Sequence, residues 1–365
     1  MKIGFDAKRA FNNTTGLGNY SRSIIKSIAN YSKKNDLYLF TTKDNKNLFN
    51  IESHHVKIIK PKIYTNKKYW RFYGLNNHVA KLNIDIFHGL SNELPIGLKT
   101  KKIVTIHDLL FLKYPHFYSF IDRKIYNLKS KNACNKADKI IAVSQKTKDD
   151  IINYYNIEPE KIEVIYQTCH DHFIQSKINK EIDSSLQKKL SKPYILYVGR
   201  IEKRKNLLFL LRAMTKINNI NLICIGKKTN YYKKIAAFNA ANNLNDKVFF
   251  LNIDNTKKLS YIYKKSVGLV YPSIDEGFGI PIIEAMYSKI PVVISDGKVF
   301  KEIGGEHAYY FQQKNIDSLV HQIKKISTLS EERNIRIEKN LHYVQKFNQQ
   351  QQTQKIIDLY KKMIT

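Results

Sequence analysis

Tyr271-Pro-Ser-Ile-Asp-Glu-Gly-Phe-Gly-Ile-Pro-Ile-Ile-Glu284 follows the short β-prone run Gly268-Tyr271 and opens a stretch of helical character. Two carboxylates, Glu276 and Glu284, stand eight residues apart and bracket a Gly-Phe-Gly turn. Glycine lets the backbone approach a ligand closely, and the unpaired N–H groups of a helix start suit an anion or a hydroxyl-rich group. The competing reading is a surface loop whose two Glu side chains are solvated. So many special residues at fixed offsets favour a site at the carboxyl end of a strand, the usual ligand position in α/β sheets.

Outward from this segment, strand-like and helix-like stretches alternate. Toward the N-terminus the strand candidates are Ile3-Ala7, Leu37-Thr41, Val56-Ile59, Asp85-His88, Ile103-His107, Lys139-Val143 and Glu163-Ile165. A polar stretch ending in Ser191-Lys192-Pro193 interrupts the pattern. It restarts with Tyr194-Gly199, Asn221-Gly226, Val248-Leu251, Gly268-Tyr271 and Pro291-Ile294. Such alternation predicts parallel sheets with right-handed crossovers. At 365 residues, two α/β domains are more natural than one. Beyond Phe347 an Ile356, Ile357, Tyr360, Met363 stripe predicts one more amphipathic helix.

Four further segments carry polar chemistry. Val198-Gly-Arg-Ile-Glu-Lys-Arg-Lys-Asn206 follows the first strand of the second half, where Arg200 and Lys205 can neutralise a diphosphate, a planar fork beside a point charge. Thr14-Thr-Gly-Leu-Gly-Asn-Tyr20 lies between a strand and a helix. With Ser21 in place of a third glycine it is no dinucleotide fingerprint, and it is either a phosphate-cradling helix start or a tight turn. Thr105-Ile-His-Asp108 sets His107 at a strand's carboxyl edge, as a ligand or as a packed residue. Lys60 to Tyr73 interleaves cations with aromatics around the single Trp70; it suits a membrane interface or stacking on bases, or is an amphipathic helix with Trp70 and Tyr73 turned inward.

The Glu276-to-Glu284 segment, with Ala285-Met286 and Pro291-Val292-Val293 after it, resembles the Glu-x7-Glu signature of retaining GT-B glycosyltransferases, particularly glycosyltransferase family 4. The resemblance extends to Gly199-Arg200 with Arg204-Lys205-Asn206, to the glycine loop and to His107. It implies two doubly wound Rossmann-like domains with an active-site cleft between them. Residues 1–175 would form the acceptor-side domain, 176–192 the linker and 193–346 the nucleotide-sugar-binding domain, with helix 347–365 packing back on the first. The resemblance also implies roles. His107 and Glu276 would contact the donor sugar, and Arg200 and Lys205 the leaving diphosphate. Gly277, Phe278, Gly279 and Ile280 would hold sugar hydroxyls, Glu284 the ribose, and Gly16 and Gly18 a phosphate. The expected reaction moves a hexose, mannose favoured, from a nucleotide diphosphate sugar to an acceptor hydroxyl with retained configuration. GDP-mannose is the first donor candidate and a UDP-sugar the next. Asn252, where the family often has glycine, and Ser295-Asp-Gly-Lys298 depart from its wording without touching the charged set. A GT-B sugar-nucleotide epimerase would use the same residues without an acceptor.

Other features bound the function. No Asp-x-Asp pair occurs, so no metal or other cofactor is expected, and His170-Asp-His172 is not expected to ligate one. Cys134, Cys169 and Cys224 are unpatterned and suit a reducing cytoplasm. No signal core and no apolar run of about 18 residues is present, so neither export nor a membrane span is expected. The net charge of +31 attracts polyanions or anionic lipid, or else reflects the Lys, Asn and Ile bias of an AT-rich genome. No zinc finger, basic zipper or RNA-binding strand signature accompanies it, which argues against nucleic acid. The expected partners are therefore the donor, a glycan or lipid-linked oligosaccharide acceptor in surface polysaccharide assembly, and an anionic membrane at whose inner face the chain would sit peripherally.

Overall fold

The computed structural model describes residues 1–62, 66–174, 184–253 and 255–365. It divides into two units, Met1–Thr168 with Phe347–Thr365, and Cys169–Lys346. The chain therefore leaves the first unit at Thr168 rather than near residue 175. The expected linker, 176–192, falls inside the span of the second unit, where Ser184–Lys189 is helical and 176–183 lie outside the described residues.

The first unit holds seven strands: β1 (Lys2–Asp6), β2 (Asp36–Phe40), β3 (Val56–Ile59), β4 (Ile86–Gly89), β5 (Lys101–Ile106), β6 (Lys139–Ala142) and β7 (Ile162–Val164). They run parallel in the order β3-β2-β1-β4-β5-β6-β7. Both faces are buried, as a parallel sheet demands. Ile3, Phe5, Leu37, Leu39, Ile86 and Ile103 pack on one side with the helix Gly16–Tyr31. Phe40, Phe87, Val104, Ile106 and Ile140 pack on the other with Trp70, Val79 and Cys134. The C-terminal helix Gln349–Ile364 lies on Gly16–Tyr31 and closes the first layer with Ile356, Leu359 and Tyr360.

The second unit has six parallel strands: β8 (Tyr194–Val198), β9 (Asn221–Ile225), β10 (Val248–Leu251), β11 (Gly268–Tyr271), β12 (Val292–Ser295) and β13 (Tyr309–Phe311), in the order β10-β9-β8-β11-β12-β13. Ile195, Tyr197, Leu222, Cys224, Val270 and Val293 meet the helices Leu207–Met214 and Ile316–Ser327 in one cluster. In each sheet the order of winding reverses at one place, between β1 and β4 and between β8 and β11. A crevice opens beyond the carboxyl ends of strands at such a reversal. The three cysteines are buried free thiols. Among the described residues no helix is long and apolar enough to cross a membrane.

The Lys60–Tyr73 segment is not one uniform interface. Residues 63–65 lie outside the described set. Lys67–Tyr69 begins a helix that widens to a π-turn at Trp70–Gly74 and continues through Leu75–Lys81. Trp70 is buried, while Tyr69 and Tyr73 are exposed, so of the Trp70 and Tyr73 pair expected to turn inward the tryptophan does and the tyrosine does not. Arg71 is also buried, with Asp6 at 2.7 Å and Glu93 at 2.9 Å.

Candidate active site

In the second unit the loops after β8 and β11, the two strands at the winding reversal, carry the charged residues. After β11 the chain turns at Gly279, whose φ of 119° is hard for any residue with a Cβ. It then enters the helix Ile280–Tyr287 with Pro281 in its first turn, where a missing N–H costs nothing. After β8 the chain makes a tight turn at Lys203–Lys205. The loops are joined through their backbones, the Ile274 N–H donating to Arg204 O at 3.0 Å.

Glu276 is buried at this junction. Lys205 Nζ lies 2.6 Å from its Oε1 and Arg204 Nη1 2.7 Å from its Oε2. Tyr271 Oη accepts from Lys205 Nζ at 2.7 Å and donates to Glu276 Oε1 at 3.1 Å. Burial alone would raise the Glu276 carboxyl, but Arg204 and Lys205 outweigh it and hold the group down at about 2. Burial draws the Lys205 ammonium below its usual value despite that carboxylate.

Glu284, in the second turn of the helix, has the opposite character. Among the described residues the Tyr263 hydroxyl donates to its Oε2 at 2.7 Å, and burial pushes its carboxyl up to about 7. Thus two carboxylates eight residues apart titrate far apart, a pattern that marks functional sites. Gly277, Phe278 and Gly279 are buried between them, and Ile280 is half-buried. Arg200 is exposed and pairs with Glu202 at 2.6 Å; Glu202 also holds Arg204 at 2.9 Å. The cation in direct contact with Glu276 beside Lys205 is accordingly Arg204.

In the first unit Gly16 and Gly18 form the first turn of Gly16–Tyr31. A Cβ on Gly18 would stand 1.8 Å from Asn13 O, whereas one on Gly16 would meet nothing within 4 Å. The Gly18 N–H donates to Asn13 Oδ1 at 3.2 Å, so a phosphate there would have to displace the Asn13 side chain. His107 stands one residue beyond β5 and is buried. Its Nε2 faces the Leu90 carbonyl at 2.9 Å, which can only accept, so that nitrogen carries the proton. Nδ1 then accepts from Gln167 Nε2 at 3.3 Å. Burial lowers the His107 pKa and keeps the ring neutral. Tyr20, two residues after Gly18, meets that ring edge-on at 4.6 Å. Tyr20 thereby joins the glycine turn to His107. Among the described residues no cluster of three or more His, Cys, Asp or Glu side chains is arranged to hold a metal.

Residues 178–342 match the model of the glycosyl transferases group 1, and residues 14–172 that of glycosyltransferase family 4. The chain belongs to glycosyltransferase family 4. Its family-4 segment contains Gly16, Gly18 and His107, and its group 1 segment contains the Arg200-to-Lys205 loop and the Glu276-to-Glu284 loop. It is 35% identical over 235 residues to the O-antigen chain mannosyltransferase RfbU of Salmonella typhimurium, an alignment covering 64% of this chain and 63% of that one. The chain thus spans less than two thirds of that relative's length. Sucrose-phosphate synthase from Thermosynechococcus elongatus superposes with a TM-score of 0.79 at 19% identity, covering 100% of this chain and 99% of the other. HepE of Anabaena, in complex with UDP and glucose, gives 0.77 at 18%, covering 99% and 100%. These likenesses identify the GT-B architecture of two Rossmann-like domains.

Sequence reasoning missed three side chains in this family-4 chain: Arg204, Tyr263 and Tyr20. The first lies in a run of three cations, Lys203-Arg204-Lys205, that does not reveal which turns inward. A signal for Tyr263 was present, because Leu259, Ile262 and Tyr263 share one side of Thr256–Lys265 by helical spacing, and Ile262 and Tyr263 are buried there.

Proposed function

We propose that the protein is a retaining glycosyltransferase that moves a hexose, mannose by preference, from a nucleotide diphosphate sugar to a hydroxyl of a glycan or lipid-linked oligosaccharide. GDP-mannose is the favoured donor and a UDP-sugar the next. The reading places the chain in the cytoplasm, peripheral at the inner face of the membrane, in surface polysaccharide assembly. Its support is the buried pairing of Glu276 with Arg204 and Lys205, together with the RfbU relative named for O-antigen mannosyl transfer and a neighbour solved with UDP and glucose.

In this mechanism Lys205 and the exposed Arg200 turn to the diphosphate as the donor binds, so that cations already in place meet charge where it develops when the glycosidic bond breaks. Glu276, ionised throughout the neutral range, accepts hydrogen bonds from sugar hydroxyls, with the N–H groups of residues 277–280 beside it. Glu284 accepts from the ribose. His107, neutral and held on both ring nitrogens, is a fixed contact for the sugar rather than a proton carrier. The cations carry the leaving-group charge, so the reading calls for no metal or other cofactor.

The test is thermal denaturation of the purified protein with GDP-, UDP-, ADP- and dTDP-sugars. A donor bound only by the folded state raises Tm by mass action. One nucleotide class should raise Tm, and Glu284→Ala should abolish the rise. No rise with any donor would overturn the reading, and a product anomer inverted in NMR would overturn retention.

A further inference from the structure

The helix Phe120–Lys136 has an unusual distribution of burial. Its inward residues Ser130, Ala133 and Cys134 all lie in its second half, and none of Phe120 to Lys129 is buried. Yet that free half is rich in apolar side chains: Phe120 is 64% exposed, Ile121 69% and Leu128 74%, with Ile125 and Tyr126 also exposed. Ile121, Ile125 and Leu128 follow i, i+4, i+7 spacing and share one outward face. Lys124 and Lys131, three and ten residues after Ile121, are exposed along it. Arg123 and Lys124 sit 5.6 Å and 5.2 Å from the Phe120 ring centre. The helix carries Arg123, Lys124, Lys129, Lys131 and Lys136 against the single Asp122, a net charge of +4, of which Lys129 pairs with Glu93 at 3.2 Å.

We infer that this half-helix is the surface by which the protein docks on an anionic lipid bilayer, with Phe120, Ile121, Ile125 and Leu128 at acyl depth and the flanking cations among the headgroups. The inference deepens the peripheral-membrane part of the proposed function and rests on it. Charge complementarity selects the occupant. A second copy of the chain, paired about a two-fold axis, would bring a +4 helix against its own image, where like charges repel. Nucleic acid would meet the cations and could stack on Phe120, but it would leave the aliphatic Ile121, Ile125 and Leu128 in water. Anionic lipid satisfies both features, since it takes up apolar side chains and attracts Lys and Arg, whose long stems reach back to the headgroups. In Lys60–Tyr73, the other membrane candidate, Trp70 and Arg71 are buried while Tyr69 and Tyr73 are exposed.

The experiment is cosedimentation of the full-length protein with vesicles of phosphatidylcholine alone and of phosphatidylcholine with phosphatidylglycerol. Wild type should bind the anionic vesicles and release them in high salt. Lys124→Glu with Lys131→Glu removes two attracting charges and adds two repelling ones, and should weaken binding roughly 100-fold or more. Ile121→Ser with Leu128→Ser should weaken it comparably, while both double variants keep the wild-type Tm and its rise with donor. Undiminished binding by either double variant, or equal binding to neutral vesicles, would overturn the assignment. So would a wild-type dimer that the apolar double variant dissociates, because a second copy would then cover the face. Lost vesicle binding with an intact donor response separates failure of this surface from failure of the glycosyltransferase reading.

Discussion

Lys205 Nζ and Glu276 Oε1 stand 2.6 Å apart, buried at the ends of neighbouring parallel strands. Arg204 occupies the other oxygen of that carboxylate at 2.7 Å and also bonds the Asp275 carbonyl at 2.7 Å. One cation is thus a structural partner of the loop, and the other has only side-chain contacts to give up. Lys205→Ala should lower kcat by about 100-fold or more and, because it too leaves Glu276 half-paired, cost some stability, though less than Arg204→Ala, which also gives up the Asp275 carbonyl. Arg204→Ala leaves the buried Glu276 half-paired and should cost about 3 kcal/mol of stability. Steady-state kinetics beside denaturant unfolding separate the two; equal stability losses would refute the division of roles.

Glu284 predicts a pH dependence of defined sign. Its carboxyl is held at about 7 in the folded protein against an ordinary value of 4.5. Between those values the unfolded state has lost a proton that the folded state keeps, so folding stability falls as pH rises through that window and the loss is complete above about pH 7. Glu284→Gln should therefore stabilise the protein above pH 7, by up to about 3 kcal/mol, and leave it unchanged below about pH 4. On the proposed ribose role of Glu284, donor affinity should follow the opposite course in wild type, weakening as pH falls below 7 because that contact would use the ionised form. Tyr263→Phe removes the bond that favours ionisation and should shift that profile to higher pH. Calorimetric titration of donor across pH 5.5 to 8.5 reads both effects, and a flat profile would contradict them.

Gly279→Ala forces a side chain onto a φ of 119° and puts its Cβ 3.0 Å from Ile282 Cδ1. The strain should cost roughly 1–3 kcal/mol and turn the neighbouring N–H groups away from the position proposed for the sugar. A lowered Tm together with a lost donor response is the expected outcome.

The two glycines of the first unit should differ. Gly16→Ala meets open space in a first helical turn and should leave Tm unchanged or raise it slightly. Gly18→Ala has to displace the Asn13 backbone and should lower Tm clearly. Equal effects would show that the turn is not held as described.

Arg71 predicts a stability effect remote from the donor loops. Its guanidinium lies within 2.9 Å of both Asp6 and Glu93 and is nearly buried. Arg71→Met should destabilise the first unit by about 3–5 kcal/mol, since two carboxylates lose their main partner. Burial would raise the Glu93 carboxyl, but Arg71 and Lys129 hold it below its usual value of 4.5, so its stabilising share is present above that usual value and lost as pH falls through the depressed one. Urea unfolding of wild type and variant at pH 7 and pH 4 tests the claim.

Much of this molecule was legible in the linear chain. Both parallel sheets announce themselves as short apolar runs between helical stretches, because a strand buried on two faces needs no alternation. The strand Tyr309–Phe311 was not legible, since three residues carry too little pattern. Glu276 and Glu284 were readable because the turn and helix fix their relation locally, and the same holds for the glycine turn.

What the sequence by itself determined is therefore the set of short-range relations: strand after strand, turn before helix, one carboxylate eight residues from the next. Tertiary structure alone decided the long-range ones. It put Arg204 rather than Arg200 on Glu276, set Tyr263 against Glu284 and Tyr20 against His107, turned Trp70 inward, and left the apolar half of Phe120–Lys136 uncovered. The physical reason is that burial and charge pairing depend on which elements the crossovers bring side by side. The inward or outward choice within a run of like residues, such as Lys203-Arg204-Lys205, is settled by its neighbours in space and not by its neighbours in the chain.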